Sequence, residues 1–120
     1  MKSSVDRNYG TAVLSYMKWR VFIESPIFTK LIGDYLDDDE YSKLQTHLLR
    51  SPKAGDVIRG SGGVRKVRWS SAGKGKRGGI RVIYYVPDGD CLWLLAVYSK
   101  GEADTIPGPV LKQIKEAMKK

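Results

Sequence analysis

Residues 91–98, CLWLLAVY, form a run of eight residues without a charge, and this run constrains the fold more than any other feature. It is far too short to span a membrane. A short apolar run bounded by turn residues reads as a strand buried on both faces, hence one in the middle of a sheet. Such a strand needs neighbours on either side and layers above and below.

The neighbours precede it. Residues 80–86 alternate as a strand, and Pro87-Asp88-Gly89-Asp90 is a hairpin turn joining the two runs. Residues 64–71 form another strand, separated from residues 80–86 by 72–79, where GKGKRGG makes a flexible basic turn. Residues 55–63 are a glycine-punctuated loop without the spacing of a phosphate-binding P-loop. Residues 18–24 are β-branched and aromatic and predict a first strand.

The covering layers are helical. Ser25-Pro26 is a helix start, with Ser as N-cap and Pro at the first helical position. Phe28, Leu31, Ile32, Tyr35 and Leu36 then recur at helical spacing. The acidic run Asp37–Glu40 suits the positive end of a second helix, which carries Tyr41, Leu44, Leu48 and Leu49 and ends at Ser51-Pro52. Residues 101–108 read as a loop. Residues 109–120 predict a third helix with Val110, Leu111, Ile114 and Met118 inward. The order is strand, two helices, three antiparallel strands, helix. It predicts an α+β fold, an antiparallel sheet of about four strands with two N-terminal helices packed on one face and a C-terminal helix. With helices stacked on one face, the other is expected to be open. One domain fits the 120 residues, with 1–17 an N-terminal extension and 18–120 the domain proper.

Charge is distributed unevenly. Residues 1–50 carry seven basic and seven acidic side chains, and residues 88–120 five of each. Residues 57–87 hold Arg59, Arg65, Lys66, Arg68, Lys74, Lys76, Arg77 and Arg81 and no acid at all. The net charge of +8 is therefore one patch, which calls for a polyanionic partner. No long apolar leader or span is read, and a membrane partner is not expected.

Alternation sorts the strands into faces. Val67 and Trp69 point to the helices, with Lys66 and Arg68 opposite. Val82, Tyr84 and Val86 separate from Arg81, Ile83 and Tyr85. Strict alternation groups Trp93, Leu95 and Val97 against Leu94, Tyr98 and Lys100. Aligned hairpins then bring Lys66, Arg68, Arg81, Tyr98 and Lys100 onto one surface, with Tyr85 beside them. Cations interleaved with aromatic rings suit single-stranded RNA, the cations holding phosphates and the rings stacking on bases. The competing readings are a non-catalytic nucleic-acid-binding or ribosome-binding module, and a structural domain. The latter leaves an acid-free basic surface unexplained. His47 is the only histidine, so a histidine pair for general acid–base catalysis is excluded, and it is expected to be a surface or partly buried helix residue. Cys91 is the only cysteine and is expected to be a buried strand residue, consistent with a reducing cytoplasm. The basic window supplies no carboxylate ligands, so a metal-independent chemistry without a cofactor is expected.

The stretch GDVIRGSGGVRKVRWSSAGKGKRGGIRVIYYV, followed by LLAVYSKGEAD, resembles the HigB branch of the RelE toxin superfamily. The resemblance covers residues 18–120. Its marks are the glycine-rich loop, an Arg-Lys-φ-Arg strand, the basic glycine loop, a Gly-x-Arg-φ-φ-Tyr strand and a φ-Tyr-x-Lys strand end. It implies the RelE fold and the toxin of a type II toxin–antitoxin pair: a cytoplasmic, ribosome-dependent endoribonuclease that cleaves mRNA. The implied partners are the ribosome, mRNA and a cognate antitoxin with a HigA-like helix-turn-helix domain. The implied catalytic residues are Lys66, Arg68, Arg81 and Lys100. Many relatives add a tyrosine or histidine near the C-terminus, where this chain has ADTIPGPV, so the general base stays open between Tyr98 and Lys66. Arg59, Arg65, Lys74, Lys76, Arg77 and Tyr85 are then expected to grip RNA.

Because the domain is expected to begin near residue 18, the segment before it should be dispensable. A chain started at Met17 should fold and keep its activity. A loss of cooperative unfolding or of cleavage in that shortened chain would show that the extension belongs to the domain.

Overall fold

The computed structural model describes residues 21–70, 79–102 and 106–119. The element order is β1 (Val21–Glu24), α1 (Pro26–Tyr35), α2 (Asp38–Arg50), β2 (Asp56–Val57), β3 (Arg65–Trp69), β4 (Ile80–Tyr85), β5 (Cys91–Ser99) and α3 (Gly108–Met118). The fold is α+β, as expected. The segment before Val21, including the start predicted for the first strand, lies outside the described residues.

The sheet has five strands in the order β1-β5-β4-β3-β2. The uncharged run is flanked on both sides, by β1 and β4. Two points differ from the expectation of about four antiparallel strands. The first is β2, a two-residue strand in the glycine-punctuated loop that pairs Asp56 with Lys66 and Val57 with Arg65. It is too short to show a period. The second is that β1 runs parallel to β5, Val21 opposite Cys91 and Glu24 opposite Leu94. Strand β1 leads straight into the α1–α2 hairpin, which crosses over one face before the chain returns to the sheet, so a parallel neighbour is reachable.

Both helix starts are capped by the expected residues. The Asp37 carboxylate accepts the backbone N–H of Glu40 at 2.8 Å, with Asp38, Asp39 and Glu40 in the first turn of α2. The Ser25 hydroxyl oxygen accepts the N–H of Phe28 at 3.0 Å. That hydroxyl also donates to the carbonyl of Leu95 at 2.7 Å.

The second bond answers a defect in the sheet. Strand β4 pairs Ile83 with Ala96 and Tyr84 with Leu94, so Leu95 is skipped. This β-bulge corrects the predicted faces of β5. Leu92, Leu94 and Val97 face α1 and α2 with Val82 and Tyr84, while Trp93, Leu95 and Tyr98 face the other way with Ile83. Period-two counting had joined Val97 to Trp93 and Leu94 to Tyr98, because one extra residue in a strand inverts every assignment beyond it.

Two core layers result. Phe22, Phe28, Ile32, Leu36, Leu44, Leu48 and Leu49 pack against one face of the sheet. Helix α3 packs on the opposite face, its Leu111 fully buried with Val64, Ile83, Leu95 and Tyr98. The helices therefore do not share one face, and the surface expected to be open is partly roofed by α3. The cause is legible in the bulge: it turns Leu95 toward the second face beside Ile83, and that apolar surface needs cover. Tyr84 closes the other end of the first layer. Its hydroxyl accepts the N–H of Gly55 and donates to the Pro52 carbonyl, both at 2.8 Å.

Ser25→Ala removes a helix cap and strands a buried carbonyl, and should cost about 2–3 kcal/mol. Asp37→Ala removes only an exposed cap and should cost about 1 kcal/mol. Urea unfolding of the two variants measures the difference, and equal losses would show that the Leu95 carbonyl finds another partner.

Candidate functional site

Strand register places the basic side chains. Across β3, β4 and β5, Arg68 lies opposite Arg81 and Arg81 opposite Tyr98. Neighbouring strands are about 4.8 Å apart, so the three Cα atoms span roughly 10 Å. The next row holds Lys66, Ile83 and Ala96. Lys100 follows β5 by one residue, its N–H donating to the Gly79 carbonyl at 3.3 Å. Lys66, Arg68, Arg81, Tyr98 and Lys100 thus occupy adjoining positions at one end of β3–β5.

Their environments differ sharply. Arg68 and Lys100 are exposed, Lys66 is half-buried, and Arg81 is only 9% exposed. Tyr98 is 8% exposed and packs in the α3 layer. Burial pushes its phenol above the ordinary tyrosine range, and the Arg81 guanidinium pulls against that without overcoming it. At neutral pH Tyr98 is a hydroxyl that can donate a proton, which makes it a poor general base.

The expected RNA-gripping residues are scattered by comparison. Arg59 is exposed on the β2–β3 loop. Arg65 donates from its guanidinium to the Gly55 carbonyl at 2.7 Å and reaches the Lys53 carbonyl at 3.4 Å, bracing the loop that follows α2. Tyr85 lies at the far end of β4, edge-on to Trp93 with centroids 5.7 Å apart, and the Lys115 ammonium stands 4.6 Å over its ring. Lys74, Lys76 and Arg77 lie outside the described residues. His47 is half-buried, as expected, with its ring centroid 5.4 Å from that of Trp69 in the α1–α2 layer and away from the basic row. Cys91 is half-buried at the start of β5, and burial, Asp88 and Asp90 push its thiol up, which is the wrong direction for a nucleophile.

A hollow of about 850 Å³ opens at the Tyr85 end of the strands, between Lys53, Gly63, Arg65, Tyr85 and Asp88. It is set apart from the row by four residues of β4, roughly 13 Å. Among the described residues no three of His, Cys, Asp and Glu converge as metal ligands, and no helix is long and apolar enough to cross a membrane.

Sequence reasoning missed Lys115. It is 4% exposed, and its ammonium donates to the Gly62 carbonyl at 2.9 Å, tying α3 to the glycine loop. A signal was present: position 115 lies four residues after the buried Leu111, on the same helical face. A charged residue on an apolar stripe is readily dismissed as solvated, although its stem is apolar.

The raised Tyr98 proton affinity has a stability consequence. A phenol harder to ionise in the folded chain contributes stability that is fully present below the unfolded pKa of about 10 and lost as pH rises through the folded value. Unfolding free energy should therefore fall as pH rises above about 10, and Tyr98→Phe should reduce that fall. An identical pH slope in the variant would mean that Tyr98 is solvated in the folded protein.

No protein-family model matches the chain. Among solved structures it is similar to a double arginine-to-alanine mutant of E. coli toxin RelE in the free state. The TM-score is 0.49 at 20% sequence identity, with 69% of this chain and 84% of that one covered.

Proposed function

We propose that this protein is the toxin of a type II toxin–antitoxin pair, an endoribonuclease that cleaves mRNA on the ribosome and so inhibits translation. The observation that carries this reading is the row Arg68–Arg81–Tyr98, with Lys66 in the adjoining row and Lys100 at its end. Two arginines directly opposite each other repel. A phosphate seated on both converts that repulsion into attraction. The motif resemblance over residues 18–120 and the acid-free window support the same reading.

The reaction is attack of a ribose 2′-hydroxyl on the adjacent phosphorus. The bond from phosphorus to the 5′-oxygen breaks, leaving a 2′,3′-cyclic phosphate and a free 5′-hydroxyl. Arg81 and Arg68 are assigned to the charge that builds on the phosphorane, because a guanidinium fits phosphate oxygens and stays protonated. Lys66, in the row adjoining Arg68 and Arg81, is assigned to the proton step at the 2′-hydroxyl. Tyr98, protonated at neutral pH, donates to the leaving 5′-oxygen, and Lys100 steadies that oxygen or its phosphate. Arg59 and the loop residues Lys74, Lys76 and Arg77 are assigned to the RNA backbone, without metal or cofactor. Arg65 and Tyr85, at the other end of the strands, also brace the fold there. The partners of this reading are the ribosome, mRNA and a HigA-like antitoxin, and its setting is the cytoplasm.

The burial of Arg81 and Tyr98 favours one rival, a non-catalytic RNA- or ribosome-binding module whose contacts come from Arg68 and Lys100. Cleavage separates the two. Arg81→Ala should lower the rate on translated mRNA by roughly 10²-fold, with ribosome affinity nearly unchanged. Cleavage of free RNA by the parent should be slow, because the ribosome supplies positioning. Parent protein that binds ribosomes and cuts no message would establish the binding module instead.

A further inference from the structure

We propose that Glu102 is a positioning residue, its carboxylate pinned by Tyr35 and Ser99 so as to fix the turn that carries Lys100. This inference rests on the reading of the basic row as an RNA-cleaving site, in which Lys100 acts at the phosphate or leaving oxygen.

Strand β5 ends at Ser99, whose partner Ile80 is the last residue of the β4 ladder at this end. The chain then turns. The Glu102 N–H donates to the Ser99 carbonyl at 3.0 Å, and Gly101 sits at φ 94°, a left-handed conformation that glycine adopts freely. One carboxylate oxygen of Glu102 accepts three donors: the Ser99 N–H at 2.7 Å, the Ser99 hydroxyl at 2.6 Å and the Tyr35 hydroxyl at 2.5 Å. Bonds to an ionised acceptor are about twice as strong as neutral ones. Burial together with the Glu102 carboxylate pushes the Tyr35 phenol up to about 12, so this donor keeps its proton over the working range of pH.

The arrangement does little for the core. Lys100, Gly101 and Glu102 are all exposed, and the apolar layers close without them. What it restrains is the backbone of Lys100, whose N–H is also tied to Gly79. A lysine ammonium on a flexible four-carbon stem is a poorly placed charge unless its Cα is fixed. Tyr35 stands on α1, in the layer beneath the opposite face of the sheet, and lies 67 residues from Glu102 in sequence. The clamp therefore anchors the Lys100 turn to the α1–α2 layer.

The test is steady-state cleavage of a message on programmed ribosomes by Glu102→Gln and Tyr35→Phe, each alone and combined with Lys100→Ala. Glu102→Gln should lower kcat about tenfold with KM nearly unchanged, and Tyr35→Phe should lower it in the same sense by less. Neither should lower the residual rate of Lys100→Ala further. Full rates in both single variants, a loss confined to KM, or equal losses with and without Lys100 would each overturn the proposal. Tyr35→Phe deletes one hydroxyl and keeps the ring, so it stands as the readout should Glu102→Gln unfold. Parent protein that cuts no RNA fails the underlying reading. A parent that cuts, a Lys100→Ala variant that does not and unaffected clamp variants fail this inference alone.

Discussion

The hydrogen bond from the Ser25 hydroxyl to the Leu95 carbonyl joins the three things on which the rest of the molecule depends. It seats the N-terminus of α1, it occupies the carbonyl of the bulged Leu95, and it binds the end of the edge strand β1 to the central strand. The Ser25 N–H reinforces it by donating to the Leu94 carbonyl at 2.9 Å. A buried carbonyl left unmade costs far more than a made bond contributes. The bulge is therefore tolerable only where a donor such as Ser25 meets it, and Ser25 is itself 2% exposed.

The bulge decides what the second face can be. Without it, β5 would present Leu95 and Val97 on the same side, and Tyr98 would share a side with Leu94. With it, Leu95 and Tyr98 join Ile83 under α3, while Val97 returns to the helical hairpin. The basic row is a by-product of that sorting. Arg81 falls next to Tyr98 in register and close to the α3 layer, so its guanidinium sits largely out of water while Arg68, one strand away, is exposed. A deep cation beside a shallow one suits a ligand that enters from one side and is held at its far end. Elsewhere on this face, Lys115 and Gly108 fasten α3 to the β2–β3 loop. A Cβ on Gly108 would lie 2.1 Å from the Arg59 carbonyl oxygen, so only glycine permits that approach.

Much of this architecture was legible in residue order. The cap at Ser25 was read from residue type, because a side-chain oxygen before an apolar-periodic run has one common use, and the acidic run Asp37–Glu40 from its fit to a helix N-terminus. The α2 end at Ser51-Pro52 and the alternating faces of β3 and β4 followed from local rules. The failures share a cause, which is that non-local partners leave no local mark. The parallel pairing of β1 depends on a crossover, β2 is two residues long, and the bulge in β5 lies in an apolar run where every residue looks equally able to face either way. The carbonyl partners of Lys115 and Arg65 were not legible, because they belong to loops that no local pattern brings near. For the site, the grouping of Lys66, Arg68, Arg81, Tyr98 and Lys100 survived the bulge only because Tyr98 and Lys100 lie beyond it.

The parallel pairing of β1 with β5 also bears on how the chain is made. Ser25 and Leu95 are separated by 70 residues, and at ordinary rates of synthesis the second emerges roughly 4 to 14 s after the first. During that interval the apolar sides of α1 and α2 have no central strand to close on. Contacts of such separation form slowly even in the finished chain, because the loop must close before they reward it. β5 is the last of the described strands to be made, so the central strand joins a sheet edge and a helical hairpin that were made before it.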